Sequence, residues 1–344
     1  MARKKITMQD IADACGLSRN TVSKVFNGRG AVPEGTRRQV LEKARELGYS
    51  QLPGEAESGG GRSIALLTQH KLLSHNFGAF FITSFTDQIC RGGYTLKIYE
   101  ISPEEIAERR LPPHLNLEET AGLLGIELFD RTYLEMICAL GKPTVFVDGY
   151  PRAAESPIEC DFVSMENIAS ESALVRKMIR AGAKRIGFVG DKEHCNSFYE
   201  RWLGCCGALR EAGLSIRTDL SILAEDGEYY GDPEWLLRRL EALPELPDGF
   251  ACANDYLAIH LMTALKKMGL SIPEDVMLAG FDGSMEASFV SPALATARIP
   301  SAEIGRLAAA VLVQRIRQPE FPFHWTYVKT TPVWGESIEG KREA

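Results

Sequence analysis

The chain has 344 residues, of which 45% are hydrophobic and 25% are charged. This length exceeds what one hydrophobic core usually serves, so we expect two or three domains. No run of about eighteen apolar residues occurs, which argues against a membrane-spanning helix. The basic start at residues 1–5 is followed by polar residues and not by the apolar core of a signal peptide. These features predict a cytoplasmic protein with no membrane partner.

The charged residues are unevenly distributed along the chain. Residues 1–50 contain ten Lys and Arg against five Asp and Glu, a net charge of +5. The remainder contains 29 basic and 41 acidic residues, a net charge of −12. This asymmetry predicts that only the N-terminal segment contacts a polyanion. Eight cysteines include no Cys-x-x-Cys pair, so we predict no metal site and no cofactor.

Residues 6–49 show the pattern of short helices joined by tight turns. Thr7 can cap a first helix, and Asp10 lies at the position that completes a capping box. Gly16 can supply the left-handed backbone of a turn, and Ser18 can cap a second helix. A third helix is predicted from about Pro33 to Leu47. This arrangement predicts an all-α helix-turn-helix domain over residues 1–50.

The predicted second helix has one apolar face and one polar face. Val22 and Val25 are expected to face inward. Arginine favours guanine, asparagine favours adenine, and serine and threonine commonly contact the DNA backbone. The alternative is a small helical bundle with no nucleic-acid role. The outward residues are Arg19, Asn20, Thr21, Ser23 and Lys24.

Residues 51–62 have the Gly- and Pro-rich composition of a linker, and residues 63–344 alternate short apolar runs with amphipathic stretches. Continuous apolar runs suit strands that are buried on both faces of a parallel sheet. We therefore predict an α/β body of two parallel-sheet subdomains: residues 63–160 with 293–320, and residues 161–292 with 321–344. The predicted strands are 64–67, 95–99, 122–126, 144–147, 186–189, 250–253 and 276–279, and the predicted helices are 80–91, 168–181, 202–212 and 256–268.

The N-terminal segment closely resembles the DNA-binding head of the LacI/GalR family of repressors. The resemblance implies that Arg19 and Asn20 contact bases and that Lys24 also reaches the groove, with Ser18 at the start of this helix. It further implies that Thr7, Thr21, Ser23, Asn27 and Tyr49 hold phosphates. The matching residues are 6–12, Gly16-Leu17-Ser18, Thr21-Val22-Ser23, Asn27-Gly28, Thr36 and Leu47-Gly48-Tyr49.

The resemblance continues through the body, and it implies a periplasmic-binding-protein-like fold with a small ligand in the cleft between the subdomains. It implies that Arg201 and Asp282 are the principal ligand contacts, supported by Asp148, Asn254 and Phe77. Carboxylates and guanidinium groups can each hold two sugar hydroxyls, which agrees with this expectation. Asn254 and Asp255 have an alternative role as helix caps. The matching segments are 74–77, 141–145, 185–190, 201–204, 254–255, 272–276 and 280–282.

The resemblance implies a transcription repressor that binds a pseudo-palindromic double-stranded operator as a homodimer. A sugar is the expected ligand; nucleobases, sugar phosphates and other polyols remain alternatives, and the ligand could release DNA or retain it. A regulator controlled by a protein partner and a sugar-binding protein without a regulatory role also remain open. Asp191, His194 and Ser197 are the residue types of a hydrolase triad, but no nucleophile-elbow sequence surrounds Ser197, so we predict no catalytic residues.

One segment departs from the family pattern. The family has a hinge helix after the head with a leucine that wedges into the minor groove, whereas this chain has Ser58 near that position within residues 51–61. Glu55 and Glu57 would face phosphates, and the glycines disfavour a stable helix. We therefore expect weak DNA bending and looser coupling between ligand and DNA.

Overall fold

The computed structural model describes residues 6–27, 32–47, 49, 63–69, 76–225 and 228–339. The chain divides into two units, residues 1–61 and residues 62–344. The predicted linker 51–62, with its atypical hinge, lies outside the described residues. Among the described residues, no helix is both long enough and apolar enough to cross a membrane.

The first unit contains three helices: α1 (Met8–Cys15), α2 (Arg19–Asn27) and α3 (Glu34–Glu46). The predicted local signals are confirmed. Thr7 caps α1 in a capping box with Asp10, and Gly16 ends it with a left-handed φ of 66°. The hydroxyl oxygen of Ser18 accepts a hydrogen bond from the amide of Thr21 at 3.1 Å, which caps α2.

The core of this unit comes from one face of each helix. Val22 and Val25 of α2 are buried, as predicted. They pack with residues spaced at helical intervals on α1 and α3. The opposite face of α2 is therefore left for solvent. The buried core residues are Ile11, Ala12, Val22, Val25, Val40, Ala44 and Tyr49.

The second unit contains a six-stranded parallel sheet with strand order β10-β5-β4-β3-β1-β2. Its strands are β1 (Ser63–Thr68), β2 (Thr95–Glu100), β3 (Thr120–Ile126), β4 (Thr144–Val147), β5 (Asp161–Met165) and β10 (Trp325–Val328). The helices of this layer are α4 (Asn76–Arg91), α5 (Pro103–Ala107), α6 (Arg131–Cys138) and α11 (Ser301–Arg317). We call this layer subdomain one.

A three-stranded parallel sheet, β6-β7-β8, organises the other layer, which we call subdomain two. Its strands are β6 (Ile186–Val189), β7 (Gly249–Cys252) and β8 (Met277–Ala279). A small antiparallel pair, β9 (Thr296–Arg298) and β11 (Thr331–Val333), adjoins it. The helices are α7 (Ile168–Arg180), α8 (Asn196–Glu211), α9 (Pro233–Glu241) and α10 (Asp255–Lys267).

The predicted subdomain boundaries were wrong at three places. β5 pairs with β4 and β10, so residues 161–165 and 325–328 belong to subdomain one. β9 pairs with β11 beside the second sheet, so residues 296–298 belong to subdomain two. The chain therefore crosses between subdomains after β5, after β9 and after β10. The reason is strand pairing over long sequence distances, which no local pattern encodes.

All seven predicted strands are present. One of them, β2, is not buried on both faces as predicted. β2 lies at the edge of the six-stranded sheet, and half of the Ile98 side chain is exposed. The six-residue β1 is buried throughout, as continuous apolar sequence predicts. The sequence patterns missed β5, β9, β10 and β11, and also the helices α5, α6, α9 and α11.

Candidate functional site

Two of the predicted ligand residues of the body, Asp148 and Asp282, lie where strands end at the cleft between the two subdomains. Asp148 directly follows β4, and Asp282 lies three residues beyond β8. Both have left-handed backbone conformations, with φ of 61° and 118°. Such conformations are costly for residues other than glycine and are concentrated at functional sites. Asp148 and Asp282 are two of the five non-glycine residues with positive φ in the described part of the chain; the others are Arg109, Glu127 and Arg152.

Arg201 of α8 is the centre of the cleft's hydrogen bonding. Its side chain is 3% exposed, and its guanidinium lies 3.9 Å from the centre of the Phe281 ring. Nη1 donates to the carbonyl of Ala253 at 2.6 Å and to Asp282 Oδ1 at 3.3 Å. Nε donates to Asn167 Oδ1 at 3.0 Å. The guanidinium is therefore held rigidly in one orientation.

Asp148 reaches across the cleft from subdomain one to α8 of subdomain two. Its Oδ2 accepts a hydrogen bond from Ser197 Oγ at 2.6 Å, and its Oδ1 accepts one from the Ser197 amide at 3.2 Å. The amide of Asn196 donates to the carbonyl of Gly149 at 2.8 Å. The first turn of α8 is thus bound to the segment that follows β4.

A second set of contacts joins the subdomains at more exposed positions. Arg152 forms a bidentate ion pair with Glu193, and its guanidinium lies 5.0 Å from the centre of the Tyr199 ring. The Tyr199 hydroxyl donates to Glu155 at 2.6 Å. Because these groups are exposed, each contact stabilises the closed arrangement only modestly.

The carboxyl groups of the cleft are less acidic than usual because they are shielded from water. Burial raises the pKa of Asp282 to about 6, although the nearby Arg201 guanidinium opposes the shift. Burial, followed by the negative charge of Asp282, raises the pKa of Asp255 to about 7. Burial also raises the pKa of Asp148, against the hydrogen bonds from Ser197. One guanidinium thus lies among several carboxyl groups whose pKa values are raised by burial.

The residues for which caps were an alternative do act as structural groups. The side-chain oxygen of Asn254 accepts a hydrogen bond from the Leu257 amide at 2.9 Å, which caps α10. Asp255 is buried and accepts bonds from Thr296 Oγ1 at 2.6 Å and from the Ser284 amide at 2.7 Å. The Asn254 amide nitrogen is not used by the cap. Asn254 can therefore cap α10 and still donate to a ligand.

Phe77 lies in the first turn of α4, half-buried and stacked on Phe81 with ring centres 5.9 Å apart. The structure places it on the inner helix of subdomain one but shows no contact between Phe77 and the Arg201 group. Its predicted stacking on a ligand ring remains a prediction.

The outer face of α2 in the first unit carries the predicted base-reading residues. Arg19, Asn20 and Lys24 are exposed, whereas Thr21 and Ser23 are half-buried. Ser18 Oγ lies 2.8 Å from Thr21 Oγ1, so these hydroxyls also organise the helix start.

The predicted phosphate-holding residues are in varied surroundings. The Thr7 hydroxyl donates to Asp10 at 2.7 Å within the capping box. Tyr49 is only 8% exposed, with its ring stacked on Phe26 at 5.3 Å. The side chain of Asn27 lies outside the described part of the chain. The phosphate-binding roles therefore remain predictions.

Comparison with known proteins agrees with both units. The chain matches the family described as "Bacterial regulatory proteins, lacI family" over residues 7–51 and the "Periplasmic binding protein-like domain" over residues 175–338. The chain therefore contains a lacI-family DNA-binding domain and a periplasmic-binding-protein-like domain. The transcriptional repressor CytR of Escherichia coli K12 is 26% identical over 314 residues, which cover 90% of each protein.

Two solved structures share the fold of this chain. The transcriptional regulator CelR in complex with cellobiose has a TM-score of 0.72 at 24% identity, covering 96% of this chain and 99% of CelR. The lac repressor dimer bound to operator and the anti-inducer ONPF has a TM-score of 0.69 at 19% identity, covering 97% and 99%. The named relatives are DNA-binding regulators and not enzymes.

Two of the triad-type residues, Ser197 and His194, lie near the contact between the subdomains. Ser197 Oγ donates to Asp148 and also lies 3.1 Å from the sulfur of Met165. The His194 ring instead packs between Phe129 and Phe198, with ring centres 4.9 and 5.1 Å away. Ser197 is therefore part of the contact across the cleft.

Sequence reasoning missed several residues of the cleft. Ser197 had a findable signal, because it lies four residues before Arg201 and so on the same face of α8. Asn167 follows β5, a strand that was not predicted, and Phe281 was not singled out beside Asp282. Tyr230 packs on Trp235, and its hydroxyl lies within hydrogen-bond distance of two backbone carbonyls.

Proposed function

We propose that this regulator is a repressor that reads an operator through α2 and responds to a polyhydroxylated ligand, most simply a sugar, bound in the cleft. The main support for operator recognition is that α2 has one exposed polar face and one buried apolar face. Its polar residues Arg19, Asn20 and Lys24 are exposed, opposite the buried Val22 and Val25. These exposed side chains match the donor and acceptor pattern of base edges in a major groove.

The cleft supports the ligand-binding part. Arg201 and Asp282 lie together at the strand ends, with about a third of the Asp282 side chain exposed. A carboxylate beside a guanidinium can accept and donate hydrogen bonds to neighbouring hydroxyl groups of one sugar ring. CelR, a protein of the same fold, has been solved with cellobiose. Sugar phosphates, nucleosides and a protein partner are the other outcomes that a test must distinguish.

Homodimer formation is part of the proposal, because a two-fold protein suits a pseudo-palindromic operator. Subdomain two exposes large apolar side chains on α10 and on the turn that packs against it. Tyr256 is 50% exposed, Met285 is 55% exposed and Phe289 is 78% exposed. Exposed apolar groups of this size favour a protein interface. By sedimentation, Phe289→Asp is expected to weaken the dimer and Phe321→Asp, in subdomain one, is not.

The ligand would act by changing the relative orientation of the two subdomains. Asp148–Ser197 and Arg152–Glu193 join the subdomains in the present arrangement. A ligand that binds this arrangement more tightly than an open one shifts the population toward it. Operator and ligand must then change each other's affinity by the same factor.

The DNA-reading part is tested by selecting an operator from a random duplex library with the full chain. Affinity is then measured by fluorescence anisotropy at several salt concentrations. Binding should weaken steeply with salt because each phosphate contact releases counterions. Arg19→Ala and Asn20→Ala are expected to relax sequence preference. Lys43→Ala removes a charge of the same sign that already pairs with Glu46, and should leave preference unchanged. Enrichment of no sequence would refute the proposal.

The ligand-binding part is tested by a thermal-shift screen against sugars, sugar phosphates and nucleosides. A ligand that binds only the folded state stabilises it by about 2.7 kcal/mol at a hundredfold excess over its dissociation constant. We expect a sugar to raise the melting temperature of the parent and to lose this effect in Asp282→Asn. A shift that Asp282→Asn retains would place the ligand elsewhere. No shift with any compound would favour a protein partner.

A further inference from the structure

A continuous series of hydrogen bonds leads from Arg201 out of the cleft. Arg201 Nε donates to Asn167 Oδ1 at 3.0 Å, and Asn167 Nδ2 donates to Glu200 Oε2 at 2.7 Å. The other oxygen of Glu200, Oε1, accepts a bond from the Tyr327 hydroxyl at 2.7 Å. We call Asn167, Glu200 and Tyr327 the relay. It joins α8 to the segment after β5 and to the strand β10.

The relay lies where the chain crosses between subdomains. Asn167 is in the crossing segment between β5 and α7, and Tyr327 is on β10 just before the crossing at residues 329–330. Thr330 of that crossing bonds to the carbonyl of Glu166 at 2.6 Å and to Ser170 Oγ at 2.7 Å. Two of the three crossings are therefore tied together at this point.

The direction of each bond in the relay is determined by chemistry. Asn167 Nδ2 also donates to the carbonyl of Met165 at 2.9 Å, while its oxygen accepts from Arg201. The amide can therefore adopt only this orientation. Glu200, which is 8% exposed, accepts from both Asn167 and Tyr327. The two oxygens of a carboxylate can each serve one donor in this way.

Burial makes these bonds consequential. Asn167 is 1% exposed and Arg201 is 2% exposed, so water cannot replace the bond between these two side chains, whereas Tyr327 at the outer end of the relay is 42% exposed. Tyr327 belongs to subdomain one, whereas Glu200 and Arg201 belong to subdomain two. A change in how the subdomains are set must therefore stretch or break the bond between Tyr327 and Glu200.

We propose that Asn167 and Glu200 are positioning residues for the Arg201 guanidinium, and that the bond between Glu200 and Tyr327 makes its orientation depend on subdomain closure. The relay thereby couples the ligand-binding group to β10. This inference rests on the proposed function only in assigning Arg201 to the ligand. The coupling itself is a property of the ligand-free protein.

The test is a double-mutant cycle on the full chain without ligand or DNA. Arg201→Lys keeps the positive charge but removes Nε, and Tyr327→Phe removes the hydroxyl. Urea unfolding of the body is followed by the fluorescence of its four tryptophans, which all lie in residues 202–334. Substitutions that share no partner have independent effects, whereas members of one network do not. Each single substitution changes the unfolding equilibrium constant by a certain factor. The factor measured for the double variant should differ about tenfold from the product of the two single factors.

Two controls separate the relay from a general loss of structure. Repeating the cycle in Glu200→Leu should abolish the non-additivity, because Leu offers no acceptor to Asn167 or Tyr327. Tyr133→Phe removes another part-buried hydroxyl of subdomain one, which donates to the carbonyl of Arg110 at 2.9 Å and is not connected to the relay. When it is combined with Arg201→Lys, the change in the unfolding constant should equal the product of the two single factors.

The relay is refuted if the factor for the double variant Arg201→Lys, Tyr327→Phe equals the product of the two single factors within about twofold. It is also refuted if their coupling persists in Glu200→Leu. Either result leaves the proposed regulator intact, since neither ligand nor operator enters the experiment. Conversely, a failure of DNA or sugar binding leaves the cycle unaffected. The two proposals can thus fail separately.

Discussion

Glu171 of α7 offers a quantitative test of the electrostatics behind the cleft. Its side chain is fully buried, and both carboxylate oxygens lack a hydrogen-bond partner. Burial raises its pKa from the ordinary 4.5 to about 8, while the Arg201 guanidinium opposes the shift. The folded protein therefore holds a proton that the unfolded chain releases above about pH 4.5. Stability must fall as the pH rises from that value to about 8.

The expected size of this effect follows from linkage. Each pH unit inside the window costs up to about 1.4 kcal/mol, so the change between pH 5 and pH 7 is on the order of 2 kcal/mol. Glu171→Gln has the same shape as the protonated acid and does not titrate. The free energies of unfolding of parent and variant should therefore agree within about 1 kcal/mol at pH 5. At pH 7 the variant should be the more stable of the two. Asp255 and Asp282 titrate in both proteins, so their contributions cancel in the difference.

The assay is urea unfolding at pH 5, 6, 7 and 8, followed by tryptophan fluorescence. Glu211→Gln is the matched control, since Glu211 is 65% exposed and pairs with Arg176 at the surface. Its stability curve should stay parallel to that of the parent, because exposed ion pairs contribute little. If the Glu171→Gln curve is also parallel to the parent curve, Glu171 is ionised in the folded protein and the argument is wrong.

Three further predictions concern stability. Arg315→Met should destabilise the body by about 3–5 kcal/mol in urea unfolding, because it leaves the fully buried Asp161 without its partner at 2.7 Å; a loss below about 1 kcal/mol would contradict this. Gly204→Ala should cost about 1–3 kcal/mol because its Cβ would lie 2.7 Å from a carbonyl of α7, whereas Gly207→Ala on the same helix meets nothing and should be neutral or stabilising. Equal effects of these two would argue against the close packing of α7 on α8. Thr7→Ala should lower the melting temperature of the first unit, measured by circular dichroism, through loss of about 1 kcal/mol of capping.

Much of the first unit follows from short-range sequence signals. The capping box of Thr7 and Asp10, the left-handed Gly16 and the burial of Val22 and Val25 were all predicted and are present. Each signal acts within about one helical turn, so it can be recognised without knowing the rest of the fold. The strands β1 and β4 were predictable for a similar reason, since their continuous apolar sequence is typical of strands buried on both faces.

The elements that were missed depend on distant partners. β5 begins with the buried Asp161, whose charge is balanced by Arg315, 154 residues later. β10 is an edge strand with half-buried side chains, so its sequence shows no continuous apolar run. Without these two strands, the sequence placed the subdomain boundaries at the wrong residues.

Local signals were sufficient to predict the elements of the first unit and several strands, and the family resemblance identified Asp148, Arg201 and Asp282 as cleft candidates. Which groups meet at the cleft depends on the three-dimensional fold. Arg201 bonds to Asn167, 34 residues away, and Glu200 bonds to Tyr327, 127 residues away. A cap or an apolar period acts between neighbours along the chain, but hydrogen-bond partners across a cleft are set by which strand ends and crossings come together.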